Sequence, residues 1–297
     1  MTKKYKTSHP RKSHNTTNKE KRIKELEQEK SRLEEQINNI MREKSIHWFP
    51  HKLSRIKIGA LSDTHIGSIY DNLPFLNFAY EVFDKEGCDI ILHAGDVVDG
   101  QGNYKGQEYE QYAIGFDSQL EVVVKEYPMI DKPTYFIEGN HSFRKMSGAI
   151  IGKTISQARK DLKFLGVEDA DIMINHNKKS IKVKLIHPSG GTAYALSYHS
   201  QKFIEALEGG TKPNLLLIGH YHRAEILPGY RDIYAVQCGS IQTQTPYHRS
   251  KRIAPMVGFW ILNVDIDNWG VNNIESRFFK WYERGRSVNV ELKRIGG

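Results

Sequence analysis

Strands alternating with amphipathic helices predict an α/β protein, a two-sheet β-sandwich flanked by helices. Three observations carry that expectation. Short apolar runs recur at Ile56–Leu61, Ile90–Leu92, Tyr135–Ile137, Ile181–Ile186 and Leu215–Ile218. Apolar residues at helical spacing stand between several of them. Further strand-like runs follow late, at Ile233–Val236 and Val257–Val264 and near Phe278 and Val288, with no helical pattern between them.

Taken in order, the chain divides into three regions. Residues 1–18 are rich in Lys, Ser, Thr, Asn and His and are expected to be a disordered basic tail. Residues 19–46 are expected to be a helix. In it Ile23, Leu26, Lys30, Leu33, Ile37 and Ile40 recur at alternating spacings of three and four, a heptad seam. The seam is short for an autonomous coiled coil; it can pair with its copy in a homodimer through residues 23–40 or lie on the body of the protein, and its polar other faces favour the homodimer. Pro50 closes this region, and residues 52–297 form the expected main domain.

Within that domain, residues 71–87 read as a helix with Phe75, Phe78, Ala79, Val82 and Phe83 on one face, stopped by Gly87. Tyr109–Tyr127 is expected to be helical. So is the stretch carrying Ile151, Ile155, Ala158, Leu162 and Leu165, up to Gly166. Ala193–Tyr198 reads as a strand, followed by a short helix to Gly209–Gly210.

Charge and cysteines narrow the setting. The formal net charge is +8, and residues 1–24 account for all of it, with nine Lys or Arg against one Glu. Such an arm can neutralise the phosphates of a nucleic acid, or it can keep the chain soluble; both readings stay open. The 2 Cys, Cys88 and Cys238, form neither a zinc-finger spacing nor a disulfide framework, which predicts a reducing, cytoplasmic setting. No apolar run approaches the ~20 residues of a membrane span, and no secretory leader is expected.

Chemistry gathers where the strands end. After each of five apolar runs come residues with ligand atoms: Asp63 and His65, Asp96 and Asp99, Asn140 and His141, His187, then His220 and His222. Carboxylates, an amide and imidazoles without thiolate suit Mn, Fe or Zn better than Ca or a structural zinc site. So many ligands suit two divalent ions sharing a carboxylate, about 3.5–4 Å apart, a pair that generates a hydroxide nucleophile near neutral pH and polarises a phosphoryl oxygen. Alone, Asp63, Asn140 and Asp99 would be turn or cap residues, and His65 or His187 a surface histidine. Their coincidence at five strand ends is what points to a site. His93, inside an apolar run, reads as core.

Asp63-Thr64-His65, Gly95-Asp96-Val97-Val98-Asp99, Gly139-Asn140-His141, His187 and Gly219-His220-Tyr221-His222 resemble the five signature blocks of the calcineurin-like metallophosphoesterases, in order, over roughly residues 55–265. The resemblance implies one metal held by Asp63, His65, Asp96 and His222, and a second held by Asp96, Asn140, His187 and His220, with Asp96 the bridge. It implies that His141 protonates the leaving oxygen as general acid and that Asp99 orients its ring. The fourth block is loosely defined, and His199 is a rival to His187.

The resemblance also bears on substrate. Protein serine/threonine phosphatases of the superfamily carry an arginine and a glutamate where this chain has Gly100 and Ser142, so that branch is disfavoured. Arg144 and Lys145 are candidates for gripping a phosphate. The DNA-repair nucleases share the five blocks, act as dimers and have strands beyond the fifth block, as the run Val236–Gln242 suggests here. The expected function is therefore a Mn²⁺-dependent phosphodiesterase or nuclease acting on DNA or RNA. The alternatives are hydrolysis of a small nucleotide, and a non-enzymatic accessory subunit that keeps the fold as a scaffold in a nucleic-acid complex.

Overall fold

The computed structural model describes residues 20–32, 46–51, 54–143, 150–176, 179–191, 193–267 and 270–281. The chain divides into two units, 1–44 and 45–297. In the first, helix α1 spans residues 20–32, and its seam residues Ile23 and Leu26 are 56% and 52% exposed. The tail 1–18 and the seam residues Leu33, Ile37 and Ile40 lie outside the described residues.

The second unit begins with β1 (Ile46–His51), upstream of the expected boundary at residue 52. Ile46, Trp48 and Phe49 are β-formers, and β1 pairs in parallel with β6 (Asp169–His176), so the expected helix does not run to residue 46. The order continues with β2 (Arg55–Leu61), α2 (Leu73–Lys85), β3 (Ile90–His93), a 3₁₀ turn at Gln107–Glu110, α3 (Phe116–Glu126), β4 (Thr134–Ile137), α4 (Asn140–Phe143), α5 (Ile151–Ala158) and β5 (Leu162–Gly166). After β6 come β7 (Lys179–Ile186), α6 (Tyr198–Glu205), β8 (Leu215–Ile218), β9 (Ala224–Tyr230), β10 (Ile233–Cys238), α7 (Pro246–Ser250), β11 (Gly258–Asp267) and β12 (Gly270–Lys280).

Two mixed six-stranded sheets result, in the orders β1-β6-β7-β8-β10-β9 and β12-β11-β2-β3-β4-β5. The pleat explains the sequence pattern. Ile56, Ile58, Ala60, Ile90 and Leu92 share a cluster with Ile172, Ile174, Val183, Leu185, Leu215 and Leu217, the core between the sheets. Leu61 and Ile91 belong to a second cluster with Phe75, Ala79, Phe83, Val123 and Ile155, the core beneath α2, α3 and α5. Strands buried on both faces read as continuous apolar runs, as Ile90–Leu92 does. Each large side chain buried this way contributes about 1.5–3 kcal/mol.

Some expected elements came out shorter or different. The expected helix Tyr109–Tyr127 splits because Gly115 takes φ +89 just before α3. The expected helix through Leu165 stops at Ala158. Arg159 turns extended and its guanidinium binds Asp161 and the carbonyls of Val124 and Tyr127, which releases Leu162–Gly166 to pair with β4. Ala193–Tyr198 is not a strand; it is bend and turn leading into α6, with Tyr194 wholly exposed and no ladder to join.

Candidate metal centre

Every described candidate side chain follows the C-terminal end of a strand in a parallel pair. β2, β3 and β4 deliver Asp63 to His141 from one sheet; β7 and β8 deliver His187, His220 and His222 from the other. Open α/β sheets place ligands at such ends. The turns are tight. Asp63, His65, Asp96, His220 and His222 have φ of 54°, 46°, 54°, 79° and 52°. They are five of the eight non-glycine residues with positive φ among the described residues, so left-handed strain concentrates at this spot. Gly95 (φ +99) and Gly139 let the loops touch: a Cβ on Gly139 would stand 2.2 Å from Asp96 Oδ1, and one on Gly95 would stand 2.3 Å from His187 Nδ1.

Backbone amides fix one oxygen of each central carboxylate and leave the other facing the imidazoles. Asp63 Oδ2 accepts from His220 N at 3.0 Å, while Oδ1 lies 3.3 Å from His222 Nε2 and 3.7 Å from His65 Nε2. Asp96 Oδ1 accepts from His141 N at 3.0 Å, while Oδ2 lies 3.0 Å from His187 Nε2 and 3.8 Å from His65 Nε2. Asn140 Oδ1 lies 3.2 Å from His187 Nε2 and 2.8 Å from His220 Nδ1. Ligand atoms group as Asp63, His65 and His222, as Asp96, His187 and His220, and as His65, Asp96 and His141. All seven proposed ligands therefore meet in one cluster, and His141 stands at its edge.

The rings are oriented from behind. His65 Nδ1 donates to Asp99 Oδ1 at 3.2 Å, His187 Nδ1 to Ala94 O at 2.8 Å, and His220 Nε2 to Gly190 O at 2.8 Å. Each leaves its other nitrogen facing the cluster, as outer hydrogen bonds do for ligating histidines. Asp99 differs from expectation. Its carboxylate holds His65 and lies 3.8 Å from His141 Nδ1; the Asp99 carbonyl takes the His141 hydrogen bond, at 2.8 Å.

The electrostatics suit cations. Burial by itself would raise Asp63, but His222, His65 and His187 outweigh it and hold the carboxyl well below its usual range. Asp96 is likewise lowered against burial, chiefly by His187 and His141. Burial opposes a second proton on His65 and His187, but the surrounding carboxylates raise them to about 10 and about 9. Burial, then the charge of His187, lowers His220 to about 4. Neutral His220 donating to Gly190 turns a lone pair toward Asn140 Oδ1, another acceptor. Asp63 Oδ1, His65 Nε2 and His222 Nδ1 are buried without a hydrogen-bond partner. Buried polar atoms without hydrogen-bond partners are costly, and here they belong to residues whose ligand atoms gather within 4.8 Å of one another, so the residues fit divalent metals.

His187, not His199, joins the cluster; His199 stacks on Tyr221, centroids 3.8 Å apart. His93 is fully buried and held neutral, its pKa lowered by burial to about 3. Arg144 and Lys145 lie outside the described residues. Sequence reasoning missed the carboxamides behind Asp99. Gln107 and Gln111 donate to its Oδ2 at 2.9 and 2.6 Å, and Gln119 donates to Gly100 O. No spacing rule marks them. His248, which reads in the sequence only as part of the polar-basic stretch Tyr247 to Arg252 and has no spacing that implicates it, packs its ring 4.7 Å from that of His222.

A two-sheet α/β sandwich with Asp and His gathered at its strand tips has the architecture of a metallophosphoesterase. Residues 56–224 match the family model for calcineurin-like phosphoesterases, more than half of the chain, and the chain belongs to that family. It is similar to the DNA polymerase II small subunit of Archaeoglobus fulgidus, 25% identical over 273 residues, covering 74% of this chain and 52% of that protein. The chain thus spans about half the length of that relative. Among solved structures it resembles a predicted phosphoesterase of Streptococcus pneumoniae (12% identity, 77% of this chain, 99% of that one, TM-score 0.38). It also resembles Vps29 of Chaetomium thermophilum (12% identity, 76% and 98%, TM-score 0.38).

Proposed function

We propose that this chain is a two-metal phosphodiesterase acting on DNA or RNA, with Mn²⁺ as the working ion. The observation that supports it best is the intact donor set, with three buried donor atoms left unpaired. A scaffold would be free to lose those donors. Asp63, His65, Asp96 and His222 would hold one ion, and Asp96, Asn140, His187 and His220 the other. Bound ions would supply Lewis acidity toward the phosphoryl oxygens and lower the pKa of water.

The chain's own residues do the rest. His141 Nδ1 donates to the Asp99 carbonyl, which turns Nε2 toward the cleft. Burial lowers the His141 pKa; an incoming phosphodiester anion pushes it the other way, so the ring gains its proton with substrate and delivers it to the leaving oxygen. Asp99, locked by Gln107 and Gln111, keeps His65 and His141 in register.

A nucleic-acid substrate is supported by the basic residues 1–24, by a cleft of about 660 Å³ over the cluster, and by similarity to a DNA polymerase subunit. That same similarity favours a second reading, in which the chain works within a nucleic-acid assembly and its site is vestigial. Exposed Ile23 and Leu26 support self-association through residues 23–40. Two buried free cysteines suit a reducing, cytoplasmic setting, and no described helix is long and apolar enough to cross a membrane.

The test is hydrolysis of labelled single- and double-stranded DNA and RNA with Mn²⁺, with bis(p-nitrophenyl) phosphate in parallel and Asp96→Ala as control. Cleavage of a strand that vanishes in the variant supports the nuclease. Turnover of the small diester alone moves the substrate to a small nucleotide. No turnover of any substrate favours the assembly role.

A further inference from the structure

Two tyrosines meet at the mouth of the cleft, and neither belongs to the metal cluster. Tyr104 comes from the glycine-rich loop after Asp99, and Tyr247 from the first turn of α7. Their rings stack with centroids 5.8 Å apart and planes 24° from parallel. Both line the cleft, as does Lys251, whose Nζ stands 6.0 Å from the Tyr247 centroid. The two rings are held differently. Tyr104 is half-buried and its hydroxyl donates to Glu110 at 2.8 Å. Tyr247 is 46% exposed. It is a large ring left open to water inside a cleft, fixed on one side by a second ring that is itself anchored.

The position of this pair relative to the cluster is set by α7. Thr245 accepts from His248 N, and His248 Nδ1 accepts from Thr245 N, a reciprocal cap that fixes the helix start. His248 then packs its ring on His222. Tyr247 is therefore one residue away from a side chain in contact with a proposed ligand, and its ring opens onto the same cleft. An aromatic ring opening onto the cleft above the metal cluster, with a mobile-stemmed ammonium 6.0 Å over it, offers partners for the two parts of one nucleotide, a flat base and its neighbouring phosphate.

We propose that Tyr247, backed by Tyr104, is a stacking platform for an unpaired nucleobase of a strand whose phosphodiester lies at the metal cluster, and that Lys251 contacts an adjacent phosphate. The proposal rests on the nucleic-acid reading above and adds to it that the strand is single at this point. A base stacked on tyrosine has left any duplex stack, and stacking of this kind tolerates every base because each has a π-face. The competing explanation is structural, with the tyrosine pair tying two loops together and no base bound.

Binding of fluorescein-labelled oligothymidylate, and of the same strand with abasic residues, separates these by fluorescence anisotropy on the full chain, with Ca²⁺ replacing Mn²⁺ to hold back cleavage. Tyr247→Ala should weaken the thymidylate strand roughly 5- to 150-fold and leave the abasic strand unchanged, while Tyr247→Phe binds as wild type. Lys251→Ala should weaken both strands alike and reduce the salt dependence by about one phosphate contact. An unchanged Tyr247→Ala, or an equal loss on both strands, overturns the platform while leaving the nucleic-acid reading intact. A wild type that binds neither strand yet hydrolyses bis(p-nitrophenyl) phosphate overturns that reading, and the platform with it. Displacement by dTMP as effective as by the strand overturns the strand and assigns the ring to a free nucleotide.

Discussion

Metal loading should release protons, and the cluster says how many. Without metal, His65 is raised to about 10 and His187 to about 9, so at pH 7 each ring carries a proton on both nitrogens. A ligating nitrogen must be bare. His220, lowered to about 4, is already neutral, and Asp63 and Asp96 are already ionised. Loading both sites at pH 7 should therefore expel about two protons, one from His65 and one from His187. Between pH 7 and 9 the apparent affinity of each site should rise about tenfold per pH unit, levelling off as its histidine loses the proton unaided. The assay is titration calorimetry with Mn²⁺ in buffers of different ionisation enthalpy, where the slope of observed heat against buffer enthalpy counts protons. His187→Gln should lower the count by about one, and that difference isolates the ring. Equal counts for wild type and variant, or affinities flat from pH 7 to 9, would refute the assignment of His187.

Four further outcomes follow from the same geometry. The metal-free protein should be most stable near pH 6.5: the stability from the raised His65 and His187 is full below 6.5 and declines steadily as pH climbs toward 9 and 10, while the depressed His93, His220 and His248 lose stability below 6.5; a melting temperature that rises from pH 7 to 9 would contradict this. His141→Asn should lower kcat roughly 10²- to 10⁴-fold on a nucleic-acid strand but far less on bis(p-nitrophenyl) phosphate, whose leaving group needs no proton, with Mn²⁺ affinity unchanged; equal losses would make His141 a positioning residue. Gly139→Ala should weaken Mn²⁺ binding roughly 10- to 100-fold in calorimetry, because the new methyl would displace the Asp96 carboxylate. Gln111→Leu should cost about 1–3 kcal/mol in urea unfolding, since it strips hydrogen bonds from buried Asp99 and from the Gly100 carbonyl.

How much of this was legible in the sequence depends on the period of the signal. β2, β3, β4 and β8 announce themselves as short apolar runs and β7 as an alternation of apolar and basic residues, and each ends on the polar residues that meet in the cluster. β6 was harder. Ala170, Ile172 and Ile174 alternate with Asp169, Asp171 and Met173, yet its charged outer face, where Lys184 binds Asp169 and Asp171, reads as a polar loop. Leu162 and Leu165 fit a helical spacing, and only the Arg159 contacts, made to residues more than 30 positions earlier, turn them into a strand. The orientation of Asp99 was invisible for a similar reason. A motif names which carboxylate is near which rings; it does not say whether the side chain or the carbonyl does the holding. Here Gln107 and Gln111 hold Oδ2 and His65 holds Oδ1, so the carbonyl is what His141 binds.

The backbone at the cluster also bears on whether the site is used. Left-handed conformations cost a non-glycine residue about 1 kcal/mol or more, and five of the proposed ligands adopt them. Glycine would satisfy the same turns without that cost, and the neighbouring positions Gly67, Gly95 and Gly100 already use it. At Asp63, His65, Asp96, His220 and His222 the chain instead carries strained backbone under charged and polar side chains, four of them buried. The backbone conformation alone argues for replacing them with glycine. A domain held by a margin of about 5–15 kcal/mol keeps such residues where they gain something outside the apo fold, and divalent cations return that free energy by binding only the folded arrangement. A fold kept purely as a scaffold would gain by relaxing these turns. The cost carried by five residues at one place is thus an observation, separate from family resemblance, that fits a metal centre.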